Sequence, residues 1–442
     1  MTLQPMPGLG SEGLTGHKVR MARGATQLVV GRKLGEGSQG LVHEVMLDGR
    51  PLALKWLRTS PFEHEQRGAI ARLAARPRPH PSFAWPIDVV ESDELSGFGY
   101  VMPLLDPRFT SLAGVLNEVR QPSFRILVGI GRHLVDAFAA LHAAGLCYRD
   151  VSFGNLRVDP RSADVMIIDN DNVGTDGDAA FVRGTRRFMA PEILRGEALP
   201  SSTTDFYSLA VLLFHLLVHG HPLEGARVLA KYDWSLDGEE ENDIVLEHFG
   251  HHPVFVFDPD DATNRPPVDD PMARWWPIYP AFLRSLFERA FTNGLRDPES
   301  ADRCTEGRWR RALARLDDCI WLCRACRAAT FWDPDEPGRP CWACTERSEP
   351  PYLLDLYSRR VVLVDGASAE VGTGADALKA RAETHPSLSG AFVLRNTGTL
   401  AWTVAPQGED LKVVVPGQRA LVRAMDIACG EHRARISLAP SY

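Results

Sequence analysis

The sequence has no apolar run long enough to cross a bilayer. Its longest, residues 209–218, is broken by His215, and a spanning helix needs roughly 20 residues. It has no excess of positive charge either. The formal net charge is −8 and the pI about 6.0, which argues against nucleic acid or a membrane surface as the main partner. The first ten residues show no basic stretch leading into an apolar core, so no secretory leader is expected. A disulfide framework is also missing. Of eight cysteines, four form two C-x-x-C pairs, while Cys147, Cys304, Cys319 and Cys429 are scattered. That is a metal-site pattern and fits a reducing, cytoplasmic setting. What remains is ordinary globular composition, 44% hydrophobic and 24% charged, over 442 residues, a length for two to four domains.

The chemistry concentrates in residues 147–155, C-Y-R-D-V-S-F-G-N. Asp150 stands five residues before Asn155, with Arg149 directly ahead of the acid. An apolar run, V-M-I-I, then ends in a second acid, Asp169. An acid on a loop, an amide one short turn away and an acid at a strand end suit phosphoryl transfer. One carboxylate accepts the proton of an attacking hydroxyl, and the amide and the second carboxylate hold metal ions against phosphates. Alone, D-x-x-x-x-N is a weak signal. It needs a phosphate cradle, a lysine and an adenine slot upstream.

Those parts are present in that order. Gly35, Gly37 and Gly40 sit between β-prone stretches and precede a D-G turn signal at Asp48-Gly49. A dinucleotide-binding turn would need a helix there, so the glycines are placed on a hairpin whose N–H groups can approach phosphates. Lys55 follows in A-L-K; a solvated edge lysine is the bland alternative. Residues 61–75 read as a helix carrying Glu63 and Glu65, of which Glu65 is the chosen partner for Lys55, against the alternative that both are surface acids. Residues 100–105, Y-V-M-P-L-L, read as a strand and adenine-binding hinge. Met102, Pro103 and Leu105 belong to it, and Val42 and Ala53 are counted with them as nucleotide-binding residues. Residues 1–24 read as a mobile tail. Residues 124–144 form an amphipathic helix stopped by Gly145.

Glycine loop, A-x-K, Y-R-D-x-x-x-x-N, I-I-D, A-P-E, D-x-x-S-L-A and a late arginine thus occur in sequence. This order resembles the protein kinase superfamily over residues 26–316, in particular an atypical bacterial branch of serine/threonine kinases. The resemblance implies a two-lobed α+β fold over residues 25–318 (N-lobe 25–102, C-lobe 106–318, insertion about 225–290) with ATP between the lobes. It assigns Lys55 to the α- and β-phosphates, Asp150 to the substrate hydroxyl, and Asn155 and Asp169 to Mg2+. Glu192 and Arg303 would form a structural ion pair, and Asp205 would brace the catalytic loop. Three departures stand out. Ser152 replaces a lysine that helps neutralise the transferring phosphate. D-N-D replaces the usual D-F-G, so Asp171 or Asn172 is a candidate extra metal contact. The activation segment is short, and Arg149 offers a basic pocket that Asp176 or Asp178 could fill.

Cys323, Cys326, Cys341 and Cys344 supply four thiolates with fourteen residues between the pairs. The spacing resembles a zinc ribbon over residues 319–348, with a closed, structural Zn2+ site. Residues 350–442 hold short β-like runs separated by turn signals and read as a small β-sandwich, faintly similar to forkhead-associated domains. Three functions follow. The leading one is an ATP–Mg2+ protein kinase acting on Ser/Thr hydroxyls of a protein substrate, its C-terminal modules choosing partners. A pseudokinase or nucleotide-binding scaffold is the rival, favoured by Ser152 and D-N-D. A small-molecule phosphotransferase fits less well with the A-P-E segment and Arg303.

Overall fold

A computed structural model describes residues 13–37, 39–117, 122–177, 184–231, 238–347, 350–357, 359–388 and 390–439. The chain forms two compact units. One comprises Met1–Pro122, Gly129–Pro267 and Phe287–Trp309; the other comprises Ser123–Val128, Val268–Leu286 and Arg310–Tyr442.

The first unit opens with six antiparallel strands: β1 (Lys18–Met21), β2 (Gln27–Glu36), β3 (Gly40–Leu47), β4 (Arg50–Leu57), β5 (Asp88–Glu91) and β6 (Gly99–Pro103). They close into a barrel in the order β1-β2-β3-β4-β6-β5. The closing strand is β1, which pairs with β2 on one side and β5 on the other. This corrects the expected tail over residues 1–24. Leu14, Val19 and Met21 are buried with Leu28, Val30, Val45 and Trp56; residues 1–12 lie outside the described residues. The stretch K-V-R-M is too short for its alternation to register in sequence, and its partners lie on β2 and β5. Between β2 and β3 the glycines do sit on a hairpin, Gly35 facing Val42. Only at Gly40 is a side chain sterically barred, because a Cβ there would lie 2.0 Å from the Trp56 carbonyl oxygen.

Helix α1 (Glu63–Ala74) buries Ile70, Leu73 and Ala74. Beyond the barrel, the helix Ser202–Val218 is buried on nearly all sides, as its almost unbroken apolar text requires. Its Phe214 meets the rings of Phe255, Phe257, Phe287 and Phe291 edge-on or tilted. Residues 225–290, expected as an insertion, are anchored in the core through Phe255, Phe257 and Phe287. Their aromatic side chains supply core, and the acids and prolines that marked them as an insertion lie between those aromatic anchors. By length and composition alone, Phe124–Ala143 could cross a membrane, and half of it is buried inside the protein. Ile130, Leu134, Phe138 and Leu141 are fully buried.

In the second unit a two-stranded hairpin (Ile320–Leu322, Ala329–Phe331) precedes two antiparallel sheets. One has six strands, Tyr352–Leu356, Arg359–Val362, Trp402–Pro406, Lys412–Val414, Met425–Cys429 and His432–Leu438; the other has four, Ser368–Val371, Leu378–Thr384, Phe392–Asn396 and Arg419–Leu421. An apolar cluster including Leu354, Leu378, Leu394, Trp402 and Ile427 draws on strands of both sheets. The strand Leu378–Thr384 was not expected: its text, L-K-A-R-A-E-T, buries small alanines where β-branched residues would have signalled a strand.

With residues 13–24 in the folded core, Leu14→Ala destabilises the protein by about 2–5 kcal/mol, the usual cost of emptying a buried leucine site. Chemical denaturation measures this, and an unchanged midpoint would return residues 13–24 to the tail.

Candidate active site

Two short strands, Leu156–Val158 and Val165–Ile167, pair with Leu156 opposite Ile167. Asn155 therefore enters this hairpin where Ile168 leaves it, and Ile168 N–H donates to the Asn155 carbonyl at 2.9 Å. Asp150 and Asp169, distant in sequence, are drawn to one end of the hairpin. Asn155 Nδ2 donates to the Asp150 carbonyl at 2.8 Å. With that nitrogen committed, the amide's remaining polar atom is an oxygen, the donor type magnesium takes.

The loop is held in an unusual backbone conformation. Arg149 (φ +75°) and Asp169 (φ +57°) are both left-handed, which for non-glycine residues costs about 1–3 kcal/mol each and persists only where neighbours enforce it. Asp205 does so for the loop: its two oxygens accept the N–H groups of Tyr148 at 2.5 Å and Arg149 at 3.0 Å. Asp205 is itself braced by His142 at 3.1 Å, whose other ring nitrogen pairs with Glu306. Glu192 and Arg303 form a buried pair at 3.0 Å.

Lys55 projects from β4, and its ammonium is almost fully buried. It meets Gln39 Oε1 at 2.8 Å, Asp169 at 3.2 Å and both oxygens of Asp171 at 3.1 Å. Burial alone would lower its pKa, but Asp171 and Asp169 outweigh this and raise it, so the lysine is held charged. Burial also pushes the Asp169 carboxyl up, opposed by Lys55. Around the lysine, Val42 lies across from Lys55 on β3, and Ala53 faces Met102 and Leu52 faces Pro103 across β4–β6. Ala53, Met102 and Val42 share one apolar cluster, while Pro103 and Leu105 are half-buried. Ala53, Met102 and Val42 thus place apolar surface on the Lys55 face of the sheet.

Several expectations are corrected. Glu65 is exposed and is not among the groups meeting Lys55, because the buried stripe of α1 runs through Ile70 and Leu73 and turns Glu65 outward. Asp176 does not fill the Arg149 pocket. It accepts from the Ser202 N–H at 2.9 Å and the Ser202 hydroxyl at 3.0 Å; Asp178 lies outside the described residues. Arg149 donates to the Thr175 carbonyl at 2.6 Å. Asp171, a candidate extra metal contact, meets Lys55 and Tyr100. Sequence reasoning missed Gln39, Tyr100 and His142. It also missed the contact in which the Thr185 hydroxyl donates to Asp150 at 2.9 Å. Ser152 stays half-buried.

In the second unit the sulfurs of Cys323, Cys326, Cys341 and Cys344 all lie within 4.8 Å of one another. Cys323–Cys344 and Cys326–Cys341 are 3.6 and 3.7 Å apart, close to the roughly 3.8 Å edge of a tetrahedron with 2.3 Å metal–sulfur bonds. The two knuckles are built alike: Arg327 and Thr345, each just after a second cysteine, both take φ +63°. The N–H groups of Cys326 and Ala325 help pull the Cys323 thiol down to about 6, favouring the thiolate that binds metal.

A glycine hairpin, a buried strand lysine and an acid–amide loop facing a second acid define a phosphoryl-transfer site of protein-kinase type. The protein kinase domain family matches residues 28–249, and the chain belongs to it. Among curated relatives, the chain is 31% identical to serine/threonine-protein kinase PkaB of Streptomyces coelicolor over 208 residues, 43% of this chain and 48% of that protein. It is 24% identical to protein kinase YegI of Escherichia coli over 311 residues, 66% of this chain and 45% of that one. With CBL-interacting protein kinase 22 of Oryza sativa it shares 28% over 253 residues, 49% of this chain and 53% of the other. The chain thus spans about half the length of the curated relatives it matches.

Burial would depress the His142 pKa, but hydrogen bonds to Asp205 and Glu306 raise it from 6.5 to about 9. Because the folded-state value is the higher one, the contribution to stability is full below pH 6.5 and fades as pH rises through about 9. Thermal melts across this window should show wild type losing more stability than His142→Gln. Parallel profiles would contradict a charged His142.

Proposed function

We propose that the chain is an ATP- and Mg2+-dependent protein kinase that transfers the γ-phosphate to Ser/Thr hydroxyls of a protein substrate. The observation that carries this reading is the convergence of Lys55, Asp150, Asn155 and Asp169 at one end of the Leu156–Val158 hairpin, beside the glycine turn. Asp150 is the base. Its carboxylate takes the proton of the attacking hydroxyl, and the Thr185 hydroxyl, 2.9 Å away, orients that carboxylate. Lys55 sets the α- and β-phosphates, and the N–H groups of the Gly35–Gly40 turn cover them. Val42, Ala53, Met102, Pro103 and Leu105 take the adenine.

A carboxylate and an amide oxygen are hard donors that fit magnesium; Asn155 and Asp169 would hold it, and it would neutralise phosphate charge. The four cysteines, with no fifth ligand position, fit a structural zinc. The sandwich is an interaction module, and the protein acts on cytoplasmic partners. The scaffold reading draws on Ser152, which leaves the loop without the charge a lysine would bring to the transferring phosphate.

Purified protein with ATP and magnesium distinguishes the two. Asp150→Asn should lower kcat by about 10²–10⁴-fold, the usual worth of a general base. Equal inertness of wild type and variant, with no phosphosites by mass spectrometry, would leave the scaffold reading. Metal analysis should find about one zinc per chain, the capacity of one four-thiolate site, and Cys326→Ser should reduce it. Unchanged zinc in that variant rejects the ribbon.

A further inference from the structure

Protein kinases ordinarily hold the strand lysine with a glutamate from the helix that follows it. Here none of the groups meeting Lys55 comes from that helix, α1. Glu65 is exposed, and the position one turn before buried Ile70 is Gln66, a neutral amide. Gln66 lines a cavity of about 190 Å³ together with Gln39, Leu57, Ile70, Asp171 and Asn172. The carboxylate that meets Lys55 with both oxygens comes from the other side, from Asp171.

Three features fix Asp171 there. It sits in the short turn Asn170–Asn172, launched by the left-handed Asp169. The preceding Asn170 is fully buried where a phenylalanine is usual, and its Nδ2 donates to the Ile167 carbonyl at 3.1 Å. Tyr100, directly opposite Lys55 on β6, donates its hydroxyl to Asp171 Oδ1 at 3.1 Å. The side chains of Lys55 and Asp171 are 4% and 6% exposed, so this ion pair is nearly sealed from water, where an unmatched charge is costly.

We propose that Asp171 is the positioning residue for Lys55, replacing the helix glutamate, and that Tyr100 orients it. Lysine and metal-site acid are then coupled through a single turn of three residues, and the lysine's placement does not depend on a swing of α1. The D-N-D sequence is thus a relocation of the ion pair, not a loss of it. Asp169, relieved of sole charge for Lys55, can serve magnesium.

This rests on the kinase reading, so its test uses two readouts, steady-state transfer and calorimetric binding of ATP with magnesium. Asp171→Asn should lower kcat on the order of 10–100-fold, the worth of a hydrogen bond between charged groups, with KM for the protein substrate unchanged. Adding Gln66→Glu, which returns a carboxylate to α1, should recover most of the loss. Full kcat and full ATP affinity in Asp171→Asn overturn the assignment. So does a loss that Gln66→Glu leaves untouched, because that is a merely structural effect. If wild type binds ATP without transferring phosphate, the kinase reading fails alone. The same variants, read by ATP affinity, then decide the role of Asp171: weakening restored by Gln66→Glu supports it, and unchanged affinity overturns it.

Discussion

One carboxylate, that of Asp205, holds the catalytic loop in its shape. A left-handed arginine ahead of Asp150 is not a conformation the loop would choose. It is enforced because two successive N–H groups, of Tyr148 and Arg149, have a single buried acceptor pair to satisfy. Asp205 in turn pairs with His142, and His142 with Glu306. Removing any link leaves a buried charge or donor without its partner, which is why such chains act as units. The direction of Asp150, and hence everything the site can do, follows from this inner network.

A second constraint is the lysine ammonium in the cleft. Burial opposes its charge, so carboxylates must be close. The fold meets the need with two acids from one turn rather than with an acid from a neighbouring helix. Arg149, the cation directly ahead of Asp150, donates to a backbone carbonyl of the activation segment, that of Thr175.

Much of the site was legible because its spacing is dictated by chemistry. Asp150 and Asn155 must lie one turn apart, the glycines must bracket a hairpin, and four thiolates must come in two knuckles. The error over Glu65 has a specific origin. Residues 63–74 contain few apolar landmarks, and the inward face of such a helix is settled by which residues the sheet accepts, here Ile70 and Leu73. The error over residues 13–24 is similar: four residues of alternation mean little until two strands, one of them some 70 residues on, supply the pairing that closes the barrel.

The sequence by itself determined the family order of parts, the positions of the loop acid, amide, metal-site acid and lysine, and the two cysteine pairs. Local spacing carries that information, since each is a short-range requirement of bonding geometry. Only the tertiary structure decided which charge faces which. Whether Asp171 or Glu65 answers Lys55 depends on a left-handed residue, a buried asparagine and a tyrosine on a neighbouring strand. These meet only after folding, and no local periodicity encodes their meeting.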